Sequence, residues 1–387
     1  MRDTSMSQIT IIQRDKWLLS CLTWIPILLV VLIWAIFSRG LARDLPIGVV
    51  NLDHSPLSQQ LVRYYDATSS MEVQSHYSSS LEAKKALIAG DIYAYAVIPN
   101  NFERDTYKHL APQVSVFYNS QMILIGKVLN SAFVQAQSTL NAQLTTFGNL
   151  SQGNATLHSA MGSAVPIRSQ ITSLFNKNSN YAQFLVSAVV PALWQIVIVV
   201  STILILSANL RDRGLIAWLG QRPMSRLVQT LLPYSWIFAA QGMAFLWWFY
   251  LGFKWPMNGS FILLLVAQSI TILSCMIMGC LFFFLTLDSA RAMSFAGAFT
   301  APSFAFMGIT FPVTDMSSLA QAWRSLLPIS HYIEVQVSQV SYGLAWTNSA
   351  HHLIPMLGYV FPLLIVSKLI AKHIVRAQGF HTAEGNK

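Results

Sequence analysis

The sequence predicts an all-α polytopic membrane protein of six transmembrane helices, with a mixed α/β extracytoplasmic domain inserted between helices 1 and 2. Three observations carry that reading. Of 387 residues, 54% are hydrophobic and only 10% are charged, a balance that a water-soluble globule does not keep in solution. Six apolar runs reach spanning length, near 17–37, 184–206, 232–253, 261–287, 292–311 and 353–371. A polar stretch of mixed period, 38–183, interrupts them after the first.

Residues 1–16 read as a cytoplasmic, interfacial N-terminal helix. The run 17–37 gives about 31 Å of helix at 1.5 Å per residue, enough to cross the hydrocarbon core, so it is expected to stay as an anchor. Within 38–183, IGVVNL at 47–52 reads as a buried strand, and 55–67 as a helix with Ser55 as N-cap and Pro56 in its first turn. A second strand at 71–77, a helix at 80–89 ending at Gly90, and strands near 93–98 and 113–118 follow. Last comes a helix over 122–147, whose Met122, Ile125, Leu129, Ala132, Ala136, Leu140 and Leu144 recur every three to four residues. The order is βαβαββα, joined to the second span by a Ser/Gly/Asn-rich linker over 148–180. After the spans of 184–371, with an elbow at 207–231, the tail 372–387 is expected in the cytoplasm. Between the fifth and sixth spans, Leu319, Trp323, Leu326 and Leu327 form an apolar stripe on a short helix ended by Pro328. There, 331–340 offers another turn or two, and these pieces are expected to lie in the outer interface or dip into it rather than extend into water.

Charge orients the chain. Arg2, Arg14, Lys16, Arg211, Arg213, Arg222, Arg226, Arg291, Lys368, Lys372, Arg376 and Lys387 fall on one side of the spans, and the opposite short loops carry only Lys254 and Arg324. The positive-inside rule places both termini in the cytoplasm. The basic balance, +9 overall, then sits mostly at the anionic inner leaflet. Membrane lipid is the expected partner for it, and nucleic acid is not.

Catalytic and metal chemistry find little support. A P-loop needs G-x-x-x-x-G-K-[ST], but around Gly126-Lys127 the chain has Gln121 and Val128 at the required positions. Cys21, Cys275 and Cys280 lie in apolar runs without redox or zinc spacing. His351 and His352 would point about 100° apart on a helix, and Asp53-His54-Ser55 has no G-x-S-x-G elbow nearby. The spans hold no Asp, Glu, Lys, Arg or His except Lys368 near a cytoplasmic end, which argues against proton-coupled carriage. No cofactor is expected in this chain.

The most informative stretch is LSANLRDRGLIAWLGQRPMSR, residues 206–226. It carries four basic residues and one acid between two spans, and suits a mechanical push from a soluble partner. The residues expected to take that push are Arg211, Asp212, Arg213, Gly214, Arg222, Pro223, Ser225 and Arg226; Arg213, Arg222 and Arg226 can make charge-assisted contacts with acidic partner residues. A second feature is the small-residue face Ala292, Ala296 and Thr300, with Gly297 and Ala301 beside it, suited to close helix packing within one subunit or across a dimer.

The elbow resembles the coupling segment of type 2 ABC exporter permeases. Arg213-Gly214 and Pro223-Met224-Ser225-Arg226 keep that family's pattern, whereas Arg211-Asp212 shifts its charges and Gln221-Arg222 replaces a more usual Val-Thr. DLPIGVVNLDHSPLSQQLVRYYDAT, AYAVIPNNFERD, VFYNSQ and GITFPVTDMSSLAQAWRSLLPISHYIE are similar to stretches of the subgroup with a large outer domain, with Asn51 where Asp is common and Pro191-Ala192 in place of Pro-Gly. The resemblance covers nearly the whole chain. It implies a permease of the bacterial inner membrane, driven by a cytoplasmic ABC ATPase subunit that binds the ATP. It also implies a second permease copy or sibling, and for the adaptor-linked relatives a periplasmic membrane-fusion adaptor. The cargo would be amphipathic or hydrophobic. The alternative is a non-transporting scaffold or surface receptor with a periplasmic domain.

Overall fold

A computed structural model describes residues 8–38, 43–108, 110–151, 156, 175–176 and 180–384. Most of the linker predicted over 148–180 lies outside the described residues. The chain divides into two compact units, Met1–Gly40 with Ser173–Lys387, and Leu41–Thr172.

The inserted unit is a four-stranded sheet of order β2-β1-β3-β4, formed by β1 (Leu45–Asn51), β2 (Met71–His76), β3 (Ala94–Ile98) and β4 (Ser115–Tyr118). β1 pairs in parallel with β2 and β3, and β4 closes the edge antiparallel to β3. Strand alternation sorts two cores onto the two faces. Ile47, Val49, Ala94 and Ala96 join Leu57, Leu61, Tyr65, Leu129 and Phe133 in one. Val50 and Tyr95 join Ala83 and Ala86 in the other. Helices on both faces explain why β1 is apolar from Leu45 to Val50.

Local signals place these helices. Ser55 accepts the Ser58 amide at 3.2 Å with Pro56 in the first turn of Pro56–Asp66. Gly90, at φ 85°, ends Ser80–Ala89. The long helix is Ile123–Ser151, and of its predicted stripe Leu129, Ala132, Ala136 and Leu140 are buried in the first of these cores with Ile125 and Leu144 packed against it, whereas Met122 precedes the helix and is exposed. Sequence periodicity missed Phe102–Tyr107, a single six-residue helix too short to show a 3.6-residue repeat. Asp53 accepts the Ser55 hydroxyl and the Glu103 amide. Burial opposes its ionisation, but these bonds together with those from the Phe102 and Asn101 amides outweigh it and lower its pKa. The cluster joins a strand end to two helix starts.

Among the described residues of the other unit, three helices are long and apolar enough to cross a membrane: Ala182–Arg213, Phe261–Thr286 and Trp346–Gln378. A fourth arises if Lys16–Leu22 and Trp24–Phe37, bent by 46°, form one crossing. Pro223–Trp247 begins within the elbow and runs into a π-helical turn, Trp248–Gly252. The run predicted over 292–311 is not one helix. Ser289–Thr300 has 12 residues, about 18 Å, before Pro302 and the short Ser303–Phe306. A proline that forces a break within an apolar run is invisible to a hydropathy window.

Buried glutamines hold these helices to one another. Gln195 Oε1 accepts the Ile329 amide at 3.0 Å, Gln268 Nε2 donates to the Gly242 carbonyl at 3.0 Å, and Gln336 Nε2 donates to the Ser187 carbonyl at 2.7 Å. At Gly279 a Cβ would lie 2.8 Å from that of Thr202, so only glycine lets the Phe261–Thr286 and Tyr181–Arg213 helices approach this closely. Pro328–Val340 is longer than the predicted turn or two and is buried along most of its length. Ser318–Ser325 is the expected short helix; Leu319 and Leu326 are exposed, whereas Leu327 is buried.

Candidate functional site

The elbow is built by two glycines that break one helix and start another. Tyr181–Arg213 ends at Gly214, whose φ 73° and ψ 158° belong to a region essentially open to glycine alone. The five-residue helix Leu215–Leu219 follows and stops at Gly220, φ 54° and ψ −144°. Pro223 then opens Pro223–Trp247 at its first turn, where its missing N–H costs nothing. The polypeptide thus turns twice within ten residues at positions fixed by Gly and Pro.

Packing anchors the turn from inside. Trp218 and Leu219 are buried, and the Trp218 indole donates to Thr230 Oγ1 at 2.9 Å. The Trp218 ring stacks at 6.5 Å on Phe284. His373 hydrogen-bonds the Phe284 carbonyl at 2.9 Å, bringing the last helix to the same place. The N-terminal helices Gln8–Arg14 and Lys16–Leu22 are tied in as well. Gln8 and Asn209 exchange side-chain amide bonds of 3.1 and 3.3 Å, and the Tyr234 hydroxyl donates to Gln8 at 3.1 Å. Asp15 caps Lys16–Leu22 through the Leu18 amide at 3.1 Å and takes Arg211 at 3.3 Å with its other oxygen.

Against that anchored inner face, the outer face is polar. Arg211, Gly214, Arg222, Ser225 and Arg226 are exposed, and Asp212, Arg213 and Pro223 are partly so. Arg211 also pairs with Asp212 at 3.3 Å. Arg211 and Arg213 lie in the last turn of their helix, where a cation complements the C-terminal dipole. All eight predicted coupling residues therefore lie along one continuous turn. Sequence reasoning missed Gly220, Trp218, Asp15 and Gln8. Gly220 was readable, since G-x-x-P after a short amphipathic helix marks a stop and a start. The long-range partners Gln8 and Asp15 carry no local signal.

The small-residue face divides. Ala292, Ala296 and Thr300 are buried within the chain. Gly297 and Ala301 are exposed, and a Cβ on Gly297 would meet nothing within 4 Å. Among the described residues, no group of three or more His, Cys, Asp or Glu side chains is placed to hold a metal ion.

A family profile described as ABC-2 family transporter protein matches residues 16–368. No curated protein and no solved structure matches the chain. With its apolar helices, its glycine-bracketed elbow and a match over most of its length, the chain belongs to the ABC-2 transporter family and is a multi-pass membrane protein, a transport subunit.

Proposed function

We propose that this chain is the permease subunit of an ATP-driven exporter, moving an amphipathic or hydrophobic substrate outward with energy from a separate ATPase that docks on the elbow. The carrying observation is the elbow's two-sidedness: exposed Arg211, Arg222 and Arg226 on a turn anchored through Trp218, Asp15 and Gln8. Force applied to such a turn reaches the N-terminal helices, the helix before it, the helix after it and the last helix together. Members of the ABC-2 family usually work with an ABC ATPase, which supports this assignment. The permease would act as a dimer with a copy or sibling, in the bacterial inner membrane, with six crossings in which Ser289–Phe306 is a broken one. A periplasmic adaptor fits the same scheme.

In this reading the termini and elbow are cytoplasmic and the inserted unit lies outside. Ser78 and Ser225 are both exposed. With Cys21, Cys275 and Cys280 replaced, Ser78→Cys should react with an impermeant maleimide on intact spheroplasts and Ser225→Cys only after lysis. Equal reaction at both before lysis overturns the topology. The purified chain should show no ATPase activity above background and gain it with its ATPase; hydrolysis by the chain alone overturns the division of labour.

A further inference from the structure

The helix Val360–Glu384 presents two unlike faces. On one, Val366 and Ile370 are buried, Leu369 and Ile374 pack beside them, and His373 bonds the Phe284 carbonyl at 2.9 Å, which fixes the rotation of the helix about its axis. On the other, Phe361 is 70% exposed and Leu364 56%, and Lys368, Lys372 and Arg376 follow, all exposed. Steps of four residues bring successive side chains to one face a turn apart, so the three cations make a ladder about 12 Å long. The sequence holds no acid from 335 to 383. Among the described residues, none of the three has a hydrogen bond or ion pair within the chain, whereas Arg211 has both Asp15 and Asp212. Like charges at this spacing repel. The helix dipole does not offset them, because it acts within the last turn and all three lie before it.

Depth in the membrane gives an independent reason for the ladder. Trp346–Gln378 forms one crossing, and its 3₁₀ stretch His351–Tyr359 rises about 2.0 Å per residue, or about 18 Å up to residue 360. From there to Lys368 the α-helix adds about 12 Å. His351 and Lys368 thus stand about 30 Å apart, the thickness of the hydrocarbon core. Phe361 and Leu364 then face acyl chains, Lys368 meets the phosphate layer, and Lys372 and Arg376 pass through the headgroups. The positive-inside rule depends on how many cations flank a span, so it does not account for their sharing one face with the apolar stripe above them. A second copy docked across this face by a twofold axis would set cation against cation. A soluble acidic protein would not reach Phe361 and Leu364 within the hydrocarbon.

We propose that this face is a binding site for an anionic phospholipid, with its phosphate between Lys368 and Lys372, Arg376 beside the rest of the headgroup, and an acyl chain along Leu364 and Phe361. The site rests on the membrane crossing of Trp346–Gln378 and not on the exporter reading. The probe is phosphatidylglycerol with a diazirine on its headgroup glycerol, carried as a trace component in phosphatidylcholine nanodiscs that hold the purified full-length chain without any ATPase. Adducts are expected within 361–376, displaced by added unlabelled phosphatidylglycerol and not by more phosphatidylcholine. Lys368→Gln with Lys372→Gln should lower labelling there at least about tenfold, and Lys368→Arg with Lys372→Arg should keep most of it. Arg222→Gln with Arg226→Gln removes the same charge elsewhere and should leave it unchanged. Should the double glutamine variant fail to fold, the position of the adducts on the unaltered chain still decides. Adducts spread evenly over the apolar helices, or none within 361–376, as when a second copy covers the face, overturn the site. So do unchanged labelling in a folded double glutamine variant and an equal loss in the elbow variant, the mark of general charge attraction.

Discussion

The elbow and the 318–340 segment both depend on arginine and treat it in opposite ways. In the elbow, the Arg211 side chain is 59% exposed and shares Asp15 and Asp212 across 3.3 Å. In the other, the Arg324 side chain is 9% exposed and holds Glu334 at 2.7 Å, with His331 and His352 at 3.9 and 3.3 Å from the same carboxylate. An exposed pair of this kind is worth about 0–1 kcal/mol, whereas breaking a buried one costs several. The contrast separates charge held at the surface from charge that fixes the fold. Arg324 ties Ser318–Ser325 to Pro328–Val340, and Tyr359 joins them by donating to the Leu326 carbonyl at 2.6 Å.

The largest expected effect is therefore far from the elbow. Arg324→Met leaves Glu334 without its strongest partner and should destabilise the chain by about 3 kcal/mol, seen as a lower melting temperature in detergent. A loss no larger than that of an elbow arginine would break the comparison. The same cluster has a pH signature. Burial first, then Arg324 and His352, lowers the His331 pKa, against the pull of Glu334 and the bond to the Ser325 carbonyl. A histidine depressed from its ordinary 6.5 binds more protons unfolded than folded. Its contribution to stability is thus complete above pH 6.5 and is lost as pH falls through the folded value. His331→Gln should flatten the decline in melting temperature between pH 7.5 and 5.

Charge reversal at the elbow should do the converse. Arg222→Glu with Arg226→Glu changes two exposed side chains, so melting should move little, while affinity for the ATPase falls at least about tenfold, or ~1.4 kcal/mol. Normal co-purification and export with normal abundance would remove the elbow from its proposed role. Gly214→Ala probes the turn itself. A Cβ there meets nothing within 4 Å, so its cost is backbone strain alone, about 1–3 kcal/mol. ATPase docking should survive and the ratio of export to hydrolysis should drop.

Legibility in the sequence follows how local each signal is. Ser55-Pro56, Gly90 and the stripe from Ile125 to Leu144 needed no tertiary information, and the structure places them where the pattern does. The elbow was readable for the same reason, since glycine, proline and arginine act within a few bonds. Partners across 196 or more residues, as Asp15 with Arg211 and Gln8 with Asn209 and Tyr234, leave no periodic trace. The run at 292–311 was read as continuous because hydropathy averages over Pro302, and the length of Pro328–Val340 was underestimated because the partners of its glutamines and serines lie on other segments.

The smallest effect tests whether the N-terminal helices belong to the lever or merely rest on it. Asp15 does two things, capping Lys16–Leu22 through one oxygen and pairing with Arg211 through the other. Asparagine caps about as well as aspartate, so Asp15→Asn keeps the cap and removes the ion pair. Asp15→Ala loses both and should cost about 1 kcal/mol more. In a double-mutant cycle with Arg211→Gln, the coupling energy of the pair should be about 0.2–1 kcal/mol. It should shrink in high salt, where screening acts within a few ångströms. A coupling that persists at 1 M salt would mean the contact is dry and structural, like that of Arg324. If Asp15→Asn leaves melting unchanged yet lowers export per ATP hydrolysed, force passes from the elbow into the N-terminal helices through this pair. If export is unchanged as well, the route lies through Trp218 and the buried face of the turn.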